Sequence, residues 1–179
     1  MSHWVALFRG INVGGHNRLP MKSLVAILEG LGCTDVKTYI QSGNAVFSSP
    51  QSGPDLLPDE IRHSVKSEHG FEPMVLLLSA SALVRARDAN PFPEGEAEPK
   101  SLHLFFLATK PTDIDEGKLE ALQNETERYA LLDDVFYLYA PDGIGRSKLA
   151  ASVERCLGVP VTARNWRTVN KMLALANQT

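Results

Sequence analysis

The residues best suited to chemistry stand in one stretch, Phe8-Arg9-Gly10-Ile11-Asn12-Val13-Gly14-Gly15-His16-Asn17-Arg18-Leu19-Pro20. Gly10, Gly14 and Gly15 can take positive φ and let backbone N–H groups approach a ligand closely. Arg9 and Arg18 could fork onto a phosphate or carboxylate, and Asn12 could donate an amide hydrogen bond to the same group. The spacing is neither GxGxxG nor a Walker loop ending in GK[ST], so it carries no dinucleotide or nucleoside triphosphate signature. The alternative is a tight turn whose glycines satisfy geometry and whose arginines face water.

Three other polar stretches stand beside predicted strands. Gln41-Ser42-Gly43-Asn44 separates two strand-like runs and reads as a hairpin connection. Pro141-Asp142-Gly143-Ile144-Gly145-Arg146-Ser147-Lys148 leads into a predicted helix. There Arg146 and Lys148 would flank the free N–H groups of a helix start, a favourable place for an anion, while Ser147 could instead cap the helix. Arg164-Asn165-Trp166-Arg167-Thr168 sits at another strand-to-helix junction, with Asn165 as an N-cap. An aromatic beside arginines also suits single-stranded nucleic acid, although Trp166 reads better as a core residue.

Catalytic groupings are sparse. Ser42 lacks the GxSxG setting of a nucleophile elbow. The five histidines are dispersed, and only His16 falls inside a candidate site. Asp142 is the one carboxylate near such a site, and two lone cysteines argue for no zinc site. No motif implies a cofactor or a metal, and no catalytic residue can be assigned.

These residues need elements to position them, and 179 residues are enough for one domain or two packed subdomains. Cys33 and Cys156 form no CxxC pair, which excludes a disulfide framework and fits a reducing cytoplasm. No apolar run is long enough for a membrane span, and Met1-Ser2-His3-Trp4 has no signal-peptide character. The net charge of −3 is unevenly spread: residues 1–48 carry +2, residues 49–139 carry −9 and residues 140–179 carry +4. If the two basic ends met, they would attract anions; otherwise the charges are simply solvated.

Trp4 to Phe8 reads as a buried strand. Met21, Leu24, Val25, Leu28 and Leu31 follow at helical spacing, begun by Pro20 and stopped by Gly32. Val36 to Ile40 and Ala45 to Ser48 form the hairpin strands, and Pro50 to Pro58 a polar linker. A helix with Leu57, Ile61 and Val65 on one face ends at Gly70, and Met74 to Leu78 reads as a central strand. This is the βαββαβ order of a ferredoxin-like antiparallel sheet covered by two helices.

A short helix from Ala80 to Arg87, capped by Ser79, completes a first subdomain over residues 1–89. Residues 90–101, rich in proline and glutamate, read as a linker. Residues 102–179 form a second α+β subdomain. Its strands are predicted at Leu102 to Ala108, Tyr129 to Leu132, Val135 to Tyr139 and Val159 to Ala163. Its helices are predicted at Ile114 to Thr126, Ser147 to Leu157 and Trp166 to Ala176. The element order of the first half recurs without a residue-level repeat.

Taken together, Phe8 to Gly15, Tyr39-Ile40-Gln41-Ser42-Gly43-Asn44, Gly143 to Leu149 and Arg164-Asn165-Trp166 resemble the signatures of a bacterial family, domain of unknown function 1697. The resemblance covers nearly the whole chain and implies a small α+β protein with a ferredoxin-like portion. It implies no activity and no catalytic residues. Arg167 departs from it, standing where a shorter polar residue is expected.

The function expected is binding of an anionic ligand: a phosphate ester, a nucleotide or single-stranded RNA. The residues expected to hold it are Arg9, Asn12, Gly14, Gly15, Gln41, Ser42, Asn44, Arg146, Ser147, Lys148, Arg164 and Asn165. One rival is a small hydrolase or transferase acting on a phosphorylated metabolite. It would use His16 or Asp142 as acid or base and Ser42 or Ser147 as nucleophile. Another is an oligomeric scaffold without a ligand. In such a sheet the loop after the first strand and the first hairpin can lie at opposite ends, which would make two sites.

Overall fold

The computed structural model describes residues 2–41, 43–50 and 56–178. Two compact units divide it: Met1–Arg85 with Asn170–Thr179, and Ala86–Val169. The last ten residues thus group with the first half, and Lys37 Nζ donates to the Gln178 carbonyl at 2.8 Å. Ser42 and most of the predicted linker from Pro50 to Pro58 lie outside the described residues.

The first unit is built on β1 (Ser2–Arg9), α1 (Met21–Gly30), β2 (Thr34–Thr38), β3 (Asn44–Ser49), α2 (Leu57–His69) and β4 (Met74–Ser79), followed by α3 (Ala80–Asp88). Its four strands pair antiparallel in the order β2-β3-β1-β4. Strand alternation puts Trp4, Ala6 and Phe8 on one face with Ala45 and Phe47. Leu24, Ile27 and Leu28 of α1 and Leu57, Ile61 and Val65 of α2 recur at the spacing that makes one helical face, and they bury against that sheet face. Each such buried side chain contributes about 1.5–3 kcal/mol. Gly70 ends α2 in the left-handed region at φ 77°, as its position after the last apolar turn demands.

One strand differs from expectation. Met74 to Leu78 reads as central because it is apolar throughout, yet β4 lies at the sheet edge. All six of its residues are half-buried, so both faces are partly covered, and that coverage explains the unbroken apolar run.

The second unit repeats this order with β5 (Leu102–Leu107), α4 (Glu116–Leu122), β6 (Arg128–Leu132), β7 (Val135–Tyr139), α5 (Val153–Leu157) and β8 (Val161–Asn165); α6 (Trp166–Ala176) comes next in the chain, and its residues from Asn170 on belong to the first unit. Its sheet order, β6-β7-β5-β8, is that of the first sheet position by position. The chain is therefore α+β, with two similar halves that each carry a four-stranded antiparallel sheet. Phe105 and Phe136 meet edge-on at 5.9 Å, and Tyr129 stacks on Phe136 at 5.3 Å, over a core that includes Leu119, Val153, Cys156 and Leu157.

Residues 90–101 are less loose than their composition suggests. Pro93–Glu96 form a 3-10 turn, Phe92 is buried, and a Cβ on Gly95 would come within 2.9 Å of Leu102 Cβ. Arg128 lies over the rings of both Phe92 and Tyr139 and pairs with Glu94, which fastens the segment to the second unit. The helix expected over Ser147 to Leu157 is broken into 3-10 turns at Ile144–Arg146 and Ala150–Ser152 before α5 begins. Its start closes with tight i→i+3 bonds, Ser147 N to Ile144 O and Ser152 N to Leu149 O, a common way for a short helix to begin.

His103 on β5 is 9% exposed, its Nδ1 has no hydrogen-bond partner among the described residues, and burial pushes its pKa down from 6.5 to about 4. The unfolded chain takes up this proton and the folded chain does not. Stability from this position is complete above pH 6.5 and falls as pH drops towards 4. The loss is on the order of 3 kcal/mol. Unfolding free energy measured across that window should fall more steeply for the natural chain than for His103→Leu, and parallel profiles would refute the assignment.

Candidate anion-binding groove

The glycine-rich stretch is an ordered loop. Val13 and His16 bridge each other around Gly14 and Gly15, which stand at φ 58° and 81°, the pattern of a type I′ turn. Asn12 and Asn17 also take positive φ, a conformation their short polar side chains tolerate. Asn17 Nδ2 donates to the Gly10 carbonyl at 2.8 Å, and Asn12 N donates to the Asn17 carbonyl at 3.0 Å. Ile11 and Leu19 anchor the two ends of the loop in the core.

The side chain of Asn12 holds this loop to the hairpin. Its Oδ1 accepts from Leu19 N at 2.8 Å. Its Nδ2 donates to Leu19 O at 2.9 Å and to Gln41 O at 2.8 Å, which uses both amide hydrogens. Asn12 therefore builds the site and has no hydrogen left for a ligand. The possibility that loop and hairpin lie at opposite ends of the sheet is corrected: Leu7 near the end of β1 pairs with Asn44 at the start of β3, so the two turns share one end.

Asn44 is fully buried, and its Nδ2 donates to the Tyr39 carbonyl at 3.1 Å, closing the hairpin from inside. Gly43 stands at φ 81°, and a Cβ there would come within 2.5 Å of Phe8 Cβ and 2.8 Å of Ile11 Cδ1. Only glycine fits that place.

Between the turns lies a groove of about 640 Å³ lined by Asn12, Gly15, Arg18, Leu19, Pro20, Met21, Lys22 and Gln41. Two cations and no carboxylate stand among these residues. Pro20 precedes α1 without a side-chain cap, and the helix has no acidic residue in its first turn. Its first ladder bond runs from Leu24 N to Pro20 O, which leaves the N–H groups of Met21, Lys22 and Ser23 ahead of the ladder. Arg9 is not part of the lining: it pairs with Met74 at the end of β1, and alternation sets it on the face opposite Phe8.

Ser147 is buried and its Oγ accepts from Ala150 N at 2.9 Å, so it caps the turn. No α-helix begins there, which corrects the expected helix-start site, although Arg146 and Lys148 remain exposed. Asn165 Oδ1 accepts from Thr168 N at 2.9 Å, the N-cap bond of α6. The Arg164 guanidinium turns inward, donating to Thr162 Oγ1 at 2.9 Å and Ala163 O at 2.8 Å, and burial lowers its pKa to about 10.

The residues considered for acid–base chemistry do not gather. His16 sits on the exposed type I′ turn outside the groove lining, and Asp142 accepts from Thr126 Oγ1 at 2.6 Å. The Cys33 thiol is pushed up to about 11 by burial and then by Glu60, a protonated and inert state. Tyr137, raised to about 12 by burial and then by Asp133, donates to the Ala86 carbonyl at 2.6 Å. Among the described residues, no three His, Cys, Asp or Glu side chains gather as metal ligands would.

Residues 1–137 match the family described as "Protein of unknown function (DUF1697)". The chain belongs to the DUF1697 family. This member is similar in fold to the conserved bacterial protein SP0830 from Streptococcus pneumoniae, with a TM-score of 0.67 and 24% identity over 98% of each chain. No curated protein matches the chain. No helix among the described residues of this DUF1697 chain is long and apolar enough to cross a membrane.

Neither Arg18 nor Lys22 is in the set of ligand-binding residues expected for this DUF1697 chain; Arg18 enters the sequence reading only as a partner of Arg9. The signal for Lys22 was local: a cation in the first turn of a helix opposes the helix dipole, where an acid is favoured.

Asn12→Gly keeps positive φ easy while deleting three hydrogen bonds, so unfolding free energy should fall by about 2–3 kcal/mol. Gly43→Ala should cost about 2–4 kcal/mol through backbone strain and overpacking. Denaturant titration checks both, and a neutral Gly43→Ala would contradict the packing described.

Proposed function

We propose that this protein binds a phosphate-bearing anion in the groove beside α1, with Arg18 and Lys22 as its charged contacts. The observation that carries the reading is the lining itself, which holds two cations and no acid. Neither cation forms an ion pair among the described residues. An anion there would be attracted by both side chains and by the N–H groups at the start of α1.

Lys22 supports the reading through its cost. A lysine at the second position of an uncapped helix meets the positive end of the dipole, a penalty of about 0.3–1 kcal/mol that a bound anion reverses. Gly14 and Gly15 keep the turn low, and Gly15 reaches the lining. The turns are already held by Asn12, so little ordering is required on binding.

Isothermal titration with ribose 5-phosphate in 50 mM and 300 mM salt tests this. Binding should weaken with salt, and Arg18→Ala and Lys22→Ala should each reduce affinity about tenfold or more. Affinity unchanged from the natural protein in both variants, or no binding at low salt, would overturn the proposal.

A further inference from the structure

We infer that the groove takes a single nucleoside monophosphate, with its phosphate on Arg18 and Lys22 and its base edge on the Gln41 carboxamide. The inference rests on the reading of the groove as an anion site and adds the body that the phosphate carries. A volume of about 640 Å³ is of the size that holds a small organic ligand, far more than a lone phosphate fills.

The lining has two chemistries. Arg18 and Lys22 supply charge, whereas Pro20 and Met21 supply an apolar wall suited to the face of a ring. Gln41 adds a third group. Its backbone carbonyl is taken by Asn12, which fixes the residue, while its exposed side chain has no hydrogen bond among the described residues. A carboxamide presents a donor beside an acceptor, the pattern with which glutamine reads a base edge in pairs of hydrogen bonds. The three groups together match a phosphate, an apolar ring face and a polar ring edge.

The experiment is isothermal titration of the full chain with AMP, ribose 5-phosphate, inorganic phosphate and an eight-residue oligoadenylate. It compares the natural protein with Gln41→Ala, whose fold is checked by circular dichroism. AMP should bind at least tenfold more tightly than ribose 5-phosphate. Gln41→Ala should bring AMP down to the level of ribose 5-phosphate and leave the latter unchanged. Equal affinity for AMP and ribose 5-phosphate in the natural protein overturns the base reading and leaves the anion site standing. So does a Gln41→Ala effect on both compounds or on neither. Oligoadenylate binding a hundredfold more tightly than AMP overturns the single-nucleotide claim, because the ligand would then extend past the groove. No binding by any phosphate compound overturns the anion site itself.

Discussion

The candidate site depends on one carboxamide. Without the three bonds of Asn12, the loop from Gly10 to Leu19 and the hairpin turn would be separate surface segments. Ordering a loop costs about 1–2 kcal/mol per residue in backbone entropy, and few of these residues bury apolar area in return. Ile11 and Leu19 do so at the loop's ends, and the polar middle is closed by Asn12, Asn17 and the turn at Gly14-Gly15. Asparagine suits its position twice over: it tolerates φ 53°, and it carries a donor and an acceptor on one short side chain. A longer amide would not meet Leu19 N and O from the same backbone place.

The second unit serves as an internal control for what the fold itself requires. Its helix at the position of α1 is α4, which begins in the ordinary way: Asp115 Oδ1 accepts from Lys118 N at 3.0 Å, and Glu116 stands in the first turn. The corresponding hairpin turns at Asp133-Asp134, with Asp133 at φ 50°. The same topology is thus satisfied by a capped helix and an acidic turn. The uncapped Pro20, the lysine at position 22 and the glycine turn of the first unit are not demanded by the architecture. They depart from the usual preference for helix starts, and such local conflicts are where function is to be sought.

The fold was legible in the sequence because its signals are periodic. Leu57, Ile61 and Val65 with Gly70 defined α2, and the repeated βαββαβ order anticipated two halves of similar element order. Strand position within a sheet was not legible, because β4 is apolar on both faces although it lies at an edge. The site was half legible. Residue type picked out Asn12, Gly15 and Gln41, yet Asn12 and Asn44 turned out to spend their amides on backbone. A polar side chain among glycines can serve a ligand or the chain, and only the partners decide. Ser147 and Asn165 were open to the same ambiguity, and each is a cap.

Backbone strain at the hairpin follows the same logic. Ile40 takes φ 48°, a conformation that a β-branched residue enters at a cost of about 1–2 kcal/mol, and it is 52% exposed, so little burial offsets that cost. The residues on either side of it hold it there. Tyr39 exchanges bonds with Asn44, and Gln41 gives its carbonyl to Asn12. A relaxed extended conformation at Ile40 would turn the Gln41 carbonyl away from Asn12 and part the hairpin from the loop. The strain is therefore tied to the joint between the two turns, and the groove exists only while that joint is closed.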